Sequence, residues 1–360
     1  MRNNIARGLP LICLLWATTG GYAQDEMAGV DPDDSVIRLD TADEFRDPWS
    51  QLRDASDDAN RDPGLIQIGR LRQPGVRSFF GLPVALTQED LRAAAVDIAV
   101  IGAPIDADGV QDDALEKLIV EHQPKFVYLI PTFGNPSGAT LSLARRKRIL
   151  ELAVRTQTVL IEDDPYGDLY FDTPPPASLL ALSAQVPGSR DWLVHCGSLS
   201  KVLSPGLRVG WMIAPSGLLS RATMCKQFSD AHTSTFAQAT AAQYLKAGRM
   251  PATLAHVREV YAGRARTMGE CLRRELGDAI AFSQPGGGLF FWARLTGAHG
   301  KLKDAGEFAR RAIDKGVAFV PGAPFYARQA DPSTLRLSFA TVGEDRIEEG
   351  VTRLRQALQI

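Results

Sequence analysis

Between residues 113 and 214, segments of two different periods take turns. "DALEKLIVEH" and "LARRKRILELAVRT" carry apolar residues three and four apart, the spacing of one helix face. "FVYLI", "TVLIED", "WLVHC" and "RVGWMIA" are shorter and rich in β-branched and aromatic residues, as strands are. Strand alternating with helix leaves few folds open, because each exposed apolar face must be covered by the next element. The pattern predicts an α/β architecture, a mostly parallel sheet sandwiched by helices. Long helical stretches are expected from about Leu218 to Ala247 and from Leu254 to Leu276. The tail alternates again, with "LFFWARL", a helix around "AGEFARRAIDKG", "VAFVPG", "LRLSFA" and a closing helix from Glu344. That tail reads as a smaller C-terminal α+β domain, and the boundary is expected near 265/266.

The front of the chain is different in kind. "MRNNIARGLPLICLLWATTGGYAQDE" has Arg2 and Arg7, then an apolar run from Leu9 to Ala17, then Gly21-Tyr22-Ala23 as a small-x-small cleavage site. Residues 1–23 therefore read as a signal peptide directing export, with an apolar run too short to span a bilayer. From Asp25 to Asp62 there are thirteen acidic and four basic residues and no sustained periodicity. Residues 24–64 are expected to be a solvated linker. Order is expected from about Leu65, with Thr87 and Asp90 placed as a helix-start capping pair and "VDIAVIGAPID" as a strand-like run.

Over all 360 residues, 40 basic side chains face 42 acidic ones, a balance that gives no electrostatic case for a nucleic-acid partner. Cys196, Cys225 and Cys271 are too widely spaced for a metal knuckle or a disulfide framework and read as core residues; Cys13 would leave with the leader. His122, His195, His256 and His299 show no ligand spacing, and no metal site is expected.

In such a sheet, chemistry gathers on loops leaving the carboxyl ends of the strands. Three polar loops do so here: "PTFGNPSG" after Ile130, "DDPYGD" after Glu162 and "GSLSK" after Cys196. Lys201, seven residues before Arg208 and beside the Pro205-Gly206 turn, is a candidate carbonyl nucleophile, because burial near another cation favours the neutral amine. Ser198, Ser200 and Arg208 supply hydroxyl and forked guanidinium donors for a dianion such as a phosphate. A Schiff-base lysine beside a phosphate anchor suggests pyridoxal 5′-phosphate. Asp163 could keep a pyridine nitrogen protonated, and Tyr166 and Asn135 could both reach the ring's phenolic oxygen. Arg336, inside the apolar "TLRLSFA", needs an anionic partner to be tolerated there.

"LIPTFGNPSGATLSLARRKRILELA", "IEDDPYGDLYF", "GSLSKVLSPGLRVGW", "QPGGGLFFWARL" and "LRLSFA" together resemble the class I/II aminotransferases, the fold type I pyridoxal-phosphate enzymes, in their 2-aminoadipate-aminotransferase-like branch. The resemblance covers about residues 106–360. It implies a cofactor-binding large domain over 107–265 and a small domain over 266–360. Lys201 would carry the cofactor as a Schiff base, and Asp163 would hold its ring nitrogen. Asn135 and Tyr166 would contact its phenolic oxygen, Ser198, Ser200 and Arg208 its phosphate. Arg336, with Asn135, would grip the substrate α-carboxylate. The implied reaction is two-step transamination between an α-amino acid and a 2-oxo acid, in a homodimer.

Two features depart from that family. Residues 65–106, in particular "RQPGVRSFFGLPVALTQEDLRAAAVDIAVIGAPID", resemble the start of a ureohydrolase of the arginase and agmatinase family; of that family's ligands only Asp230-Ala231-His232 is an echo. The glycine-rich phosphate turn and the ring-stacking aromatic of an ordinary aminotransferase are not found before residue 106. An N-terminally incomplete cofactor domain, with weak or absent activity, is therefore the alternative expectation. Compartment is contested too, since the leader implies the periplasm and the aminotransferase-like part the cytoplasm.

Overall fold

The computed structural model describes residues 36–40, 100–297 and 303–359. The leader-like residues 1–23, most of the acidic tract, the Thr87–Asp90 capping pair and nearly all of the ureohydrolase-like segment lie outside the described residues.

Five strands form the larger sheet: β1 (Val36–Asp40), β4 (Phe126–Leu129), β5 (Val159–Asp163), β6 (Leu193–Ser198) and β7 (Val209–Ile213), in the order β1-β7-β6-β5-β4. The helix between β4 and β5, α2 (Leu143–Thr156), and the short helix α3 (Leu179–Ser183) between β5 and β6 make the crossovers that parallel pairing requires. The expected α/β sheet is present, parallel over β4, β5 and β6, and needs one correction at its edge. β7 runs antiparallel to β6, and β1 antiparallel to β7. Residues 199–208 are too few for a crossover, so the chain turns back on itself and the sheet is mixed.

A second correction concerns the expected linker. Val36–Asp40 lies in it yet pairs along the whole of β7, Val36 opposite Ile213 and Asp40 opposite Val209. The outer edge of β7 offers unpaired backbone groups, and "VIRLD" opens with two β-branched residues suited to pairing there. A third concerns "VDIAVIGAPID". Residues 100–104 form no strand; only β2 (Ile105–Asp106) pairs, in a hairpin with β3 (Gly109–Val110). Pro104 lacks the N–H a ladder needs, and Arg145 ties the hairpin to α2 through both carboxylate oxygens of Asp106, at 2.6 and 2.8 Å.

The side chains of this sheet alternate between two cores. Val159 and Ile161 of β5, with Val194 and Cys196 of β6, face α4 (Ser216–Asp230). Leu160 and Leu193 face α1 (Asp112–His122), α2 and α3. The long helical stretch expected over Leu218–Ala247 is two helices, because Ala231 takes φ 66° and Ser234 caps a new start, α5 (Thr235–Lys246), accepting from Ala237 N at 3.3 Å.

The small sheet is antiparallel, in the order β10 (Val320–Pro321), β11 (Thr334–Ser338), β9 (Phe290–Leu295), β8 (Ile280–Phe282). It packs on α7 (Ala305–Asp314) and α8 (Glu344–Leu358) around Phe291, Phe308 and Phe339. One helix, α6 (Met250–Leu276), runs through the expected 265/266 boundary without a break. Its Met250, Leu254 and Val257 pack against the core beneath the three polar loops, and its Met268, Cys271 and Leu272 against the small-domain core. A continuous helix thus packs against both units.

Candidate active site

Because β4, β5 and β6 are parallel, their carboxyl ends lie at one edge, and the three polar loops meet there. Asp163 ends β5 on the face shared with Cys196 and Ile161. Burial is the main influence on its carboxyl, and Asp164 adds to it; Tyr128, His195 and Lys201 act in the opposite direction, leaving it pushed up to about 6. Lys201 follows β6. Its ammonium is destabilised first by burial, then by Arg208 and Arg336, and Asp163 alone favours the charge. Such an environment favours the neutral, nucleophilic form of an amine.

The residues expected to hold an anion are brought together locally. Ser198 Oγ accepts from Ser200 N at 3.0 Å, and Ser200 Oγ accepts from Arg208 Nη1 at 3.4 Å. Arg208 takes the left-handed backbone conformation, φ 55°, at the end of the Pro205–Leu207 turn, which turns its guanidinium back towards the serines. Gly197 makes room at this edge: a Cβ there would lie 2.2 Å from the indole of Trp211, its cross-strand partner.

Asn135 and Arg336 meet across the two units. Arg336, only 5% exposed, projects from β11 and donates from Nη1 to Asn135 Oδ1 at 2.7 Å. Its guanidinium lies over the rings of Phe290, 4.2 Å from the centroid, and Phe325, 5.1 Å. Asn135 is also buried, and its Nδ2 finds no acceptor among the described residues. Tyr166 lies beside them, edge-on to Phe290 at 6.3 Å. Burial and Asp163 push its phenol up to about 12, against the pull of Arg336 and Asn135. The loops can close this tightly because Gly287 has no side chain: a Cβ would meet the Phe133 ring at 2.4 Å and Leu169 O at 2.7 Å.

All seven residues singled out from the sequence therefore converge on one cleft, and Arg336 joins them from the other unit. Sequence reasoning missed three supports. Arg146 is fully buried on α2 and donates to Leu141 O, Pro131 O, Ala177 O and Thr132 Oγ1, fastening the loop that carries Asn135. Glu162, on the opposite face from Asp163, accepts from Leu179 N and Leu180 N at the start of α3 and pairs with His195 Nδ1 at 2.7 Å. Tyr128, inside "FVYLI", donates to Asp163. The period-two reading of that strand was a usable signal for Tyr128, since it puts Tyr128 on the face of Phe126. Nothing in the sequence marks Arg146 apart from its neighbours Arg145 and Arg148.

Taken together, the mixed α/β sheet with its antiparallel companion unit, and a lysine, an aspartate and a hydrogen-bonded serine–arginine group at the carboxyl edge of its parallel strands, match a fold type I aminotransferase scaffold. The chain belongs to the class I and II aminotransferase family, whose model matches residues 88–354. That match begins at residue 88, inside the segment expected from the sequence to be ureohydrolase-like, a resemblance the comparisons do not show. The chain is 41% identical over 258 residues to a 2-aminoadipate transaminase of Thermus thermophilus, covering 71% of this chain and 63% of the relative. It is 35% identical over 262 residues to aromatic-amino-acid aminotransferase 1 of Thermococcus litoralis, covering 71% and 60%. Among solved structures it resembles the α-aminoadipate aminotransferase of Thermus thermophilus complexed with N-(5′-phosphopyridoxyl)-L-leucine. There the TM-score is 0.72 at 32% identity, over 99% of this chain and 87% of that one. The kynurenine aminotransferase of Pyrococcus horikoshii in complex with PMP gives 0.68 at 34% identity, over 76% and 68%. The chain spans about six-tenths of the length of the curated relatives it matches.

Proposed function

We propose that this chain is a pyridoxal-phosphate-dependent aminotransferase moving an amino group between an α-amino acid and a 2-oxo acid. The observation that carries the reading is the convergence of Lys201, whose ammonium burial disfavours, with Asp163 and the buried Asn135–Arg336 pair. The residues fit the cofactor on grounds independent of it. Asn135 Nδ2 is a buried donor lacking an acceptor among the described residues, and Ser198, Ser200 and Arg208 are linked by hydrogen bonds into one group of hydroxyl and guanidinium donors.

When bound, the cofactor supplies an electron sink for a carbanion at the substrate α-carbon. Ser198, Ser200 and Arg208 hold its phosphate, and Asp163 keeps the proton on its ring nitrogen. Asn135 and Tyr166 bind its phenolic oxygen. Lys201 Nζ is the point of covalent attachment and then, as the free amine, the base that takes and returns the α-proton. Arg336 grips the substrate carboxylate as a fork, which frees it from the single bond it makes to Asn135.

The relatives' names point to aminoadipate and aromatic side chains as the substrate classes to try first. A homodimer belongs to the same reading; Met224 and Phe228 on α4 and Phe236 on α5 stand exposed, as a subunit contact would use them. A hydrolase of guanidino compounds is not favoured. Asp230 is paired with Lys226 at 2.5 Å and His232 Nδ1 with Thr233 O, so the one echo of that site is engaged elsewhere.

The test is mass spectrometry of protein reduced with borohydride in the presence of pyridoxal phosphate. One pyridoxyl adduct on Lys201, lost in Lys201→Ala, is expected. Labelling spread over surface lysines, unchanged in that variant, would refute the site.

A further inference from the structure

Tyr128 has no place in the site read from the sequence, yet it is the only described residue that donates a hydrogen bond to the Asp163 carboxylate. In the parallel register Tyr128 lies opposite Ile161, so Asp163 is the next residue along on the same face, a diagonal neighbour that a long side chain reaches. The phenolic hydroxyl donates to Oδ2. Oδ1 makes no hydrogen bond with any described residue. A carboxylate with one oxygen held can rotate no further and offers the other in a fixed direction.

We propose that Tyr128 is a positioning residue for Asp163: by holding Oδ2 it keeps the carboxylate ionised and presents Oδ1 to the protonated nitrogen of an aromatic heterocycle. The proposal rests on the reading of the cleft as a pyridoxal-phosphate site. The titratable groups that act on Asp163 come from every neighbouring element, His195 from the opposite face of the sheet. They are Tyr128 from β4, Asp164 next in the chain, Tyr166 from the same loop, His195 and Cys196 from β6, and Lys201 from the loop after β6. Burial pushes the phenols of Tyr128 and Tyr166 and the thiol of Cys196 upward, so these three stay neutral while Asp163 titrates. Lys201 favours the ionised carboxylate and Asp164 opposes it, which leaves the phenol as the one directional neutral donor.

The experiment follows the aspartate carboxyl carbons by NMR across pH in the full chain without added cofactor, using Asp163→Asn to assign the signal. In Tyr128→Phe the Asp163 midpoint is expected to rise by about one pH unit, the size of a lost hydrogen bond to a charged group. Pyridoxal-phosphate affinity should then fall about fivefold at pH 6 and less than twofold at pH 8.5, since the carboxyl is ionised in both proteins at the higher pH. Tyr128→His, which restores a ring N–H, should return part of the shift. An unmoved midpoint, or an affinity loss equal at both pH values, would overturn the proposal and leave Tyr128 a packing residue. If the midpoint moves but the unsubstituted chain takes up no pyridoxal phosphate at any pH, the assignment of the cleft fails while the hold of Tyr128 on Asp163 stands.

Discussion

Arg146 offers the sharpest test of how the cleft is kept in shape. Its side chain is sealed from solvent, and among the described residues it forms no ion pair. Instead Nε donates to Leu141 O at 2.8 Å, Nη2 to Pro131 O at 2.9 Å and Thr132 Oγ1 at 2.8 Å, and Nη1 to Ala177 O at 3.2 Å. Burial lowers the affinity of the guanidinium for its proton, and Glu162 and Asp164 partly restore it. The group therefore works as a four-way donor rather than as half of a salt bridge. Arg146→Met keeps the length of the side chain and removes every donor. Pro131 O retains the bond from Leu141 N at 2.7 Å, but Leu141 O and Ala177 O lose the donors that reach them and Thr132 loses a partner. Each buried acceptor left bare costs ~1–3 kcal/mol, and recovery of the guanidinium's desolvation offsets part of the total, leaving about 3–5 kcal/mol of destabilisation. Thermal unfolding followed by tryptophan fluorescence should show a midpoint about 10 °C lower. Arg146→Lys should recover only a fraction, because one ammonium cannot fork to four acceptors on two loops. A midpoint lowered by less than about 2 °C in Arg146→Met would refute the reasoning, since it would mean the loop holds itself.

Other consequences are equally direct. Burial raises the Asp163 carboxyl from its ordinary 3.8 to about 6, so folding is disfavoured by this group once it ionises. Its cost is absent below about pH 4 and complete above pH 6. Asp163→Asn should therefore stabilise the cofactor-free protein by about 3 kcal/mol at pH 8 and hardly at all at pH 4, as urea titrations at the two pH values would show; equal gains at both would contradict it. Arg336→Lys keeps the charge but loses the fork, and KM for the amino acid should rise about 10- to 100-fold with a smaller change in kcat. An unchanged KM in steady-state kinetics would remove Arg336 from the carboxylate site. Gly197→Ala drives a methyl group into Trp211, at 2.2 Å from its ring, and is expected to cost ~1–3 kcal/mol, visible as a lowered unfolding midpoint with altered tryptophan emission; a midpoint equal to that of the parent chain would show that the indole moves aside freely.

The order of strands and helices from Asp112 onward was legible in the sequence because each element carries its own periodicity. α2 and the start of α8 fall where the pattern puts them, and Asp163, Ser198 and Lys201 are placed at one edge by strand ends alone. That is local information, fixed by which residues are apolar and how far apart they stand. The direction of β7, the pairing of Val36–Asp40 and the failure of residues 100–104 to form a strand are not local. They depend on the length of a connection, on a free sheet edge elsewhere and on a proline that removes one donor. The same division runs through the cleft. Composition and spacing nominate Asn135 and Arg336 separately, 201 positions apart, but only the packed molecule brings a guanidinium and an amide within 2.7 Å. Arg146 looks like any helix arginine until burial removes water and leaves its donors to the acceptors the fold provides, and Tyr128 like any strand tyrosine until the parallel register sets it beside Asp163. A sequence states which groups a chain owns; the tertiary structure decides which of them are deprived of solvent, and hence which must answer one another.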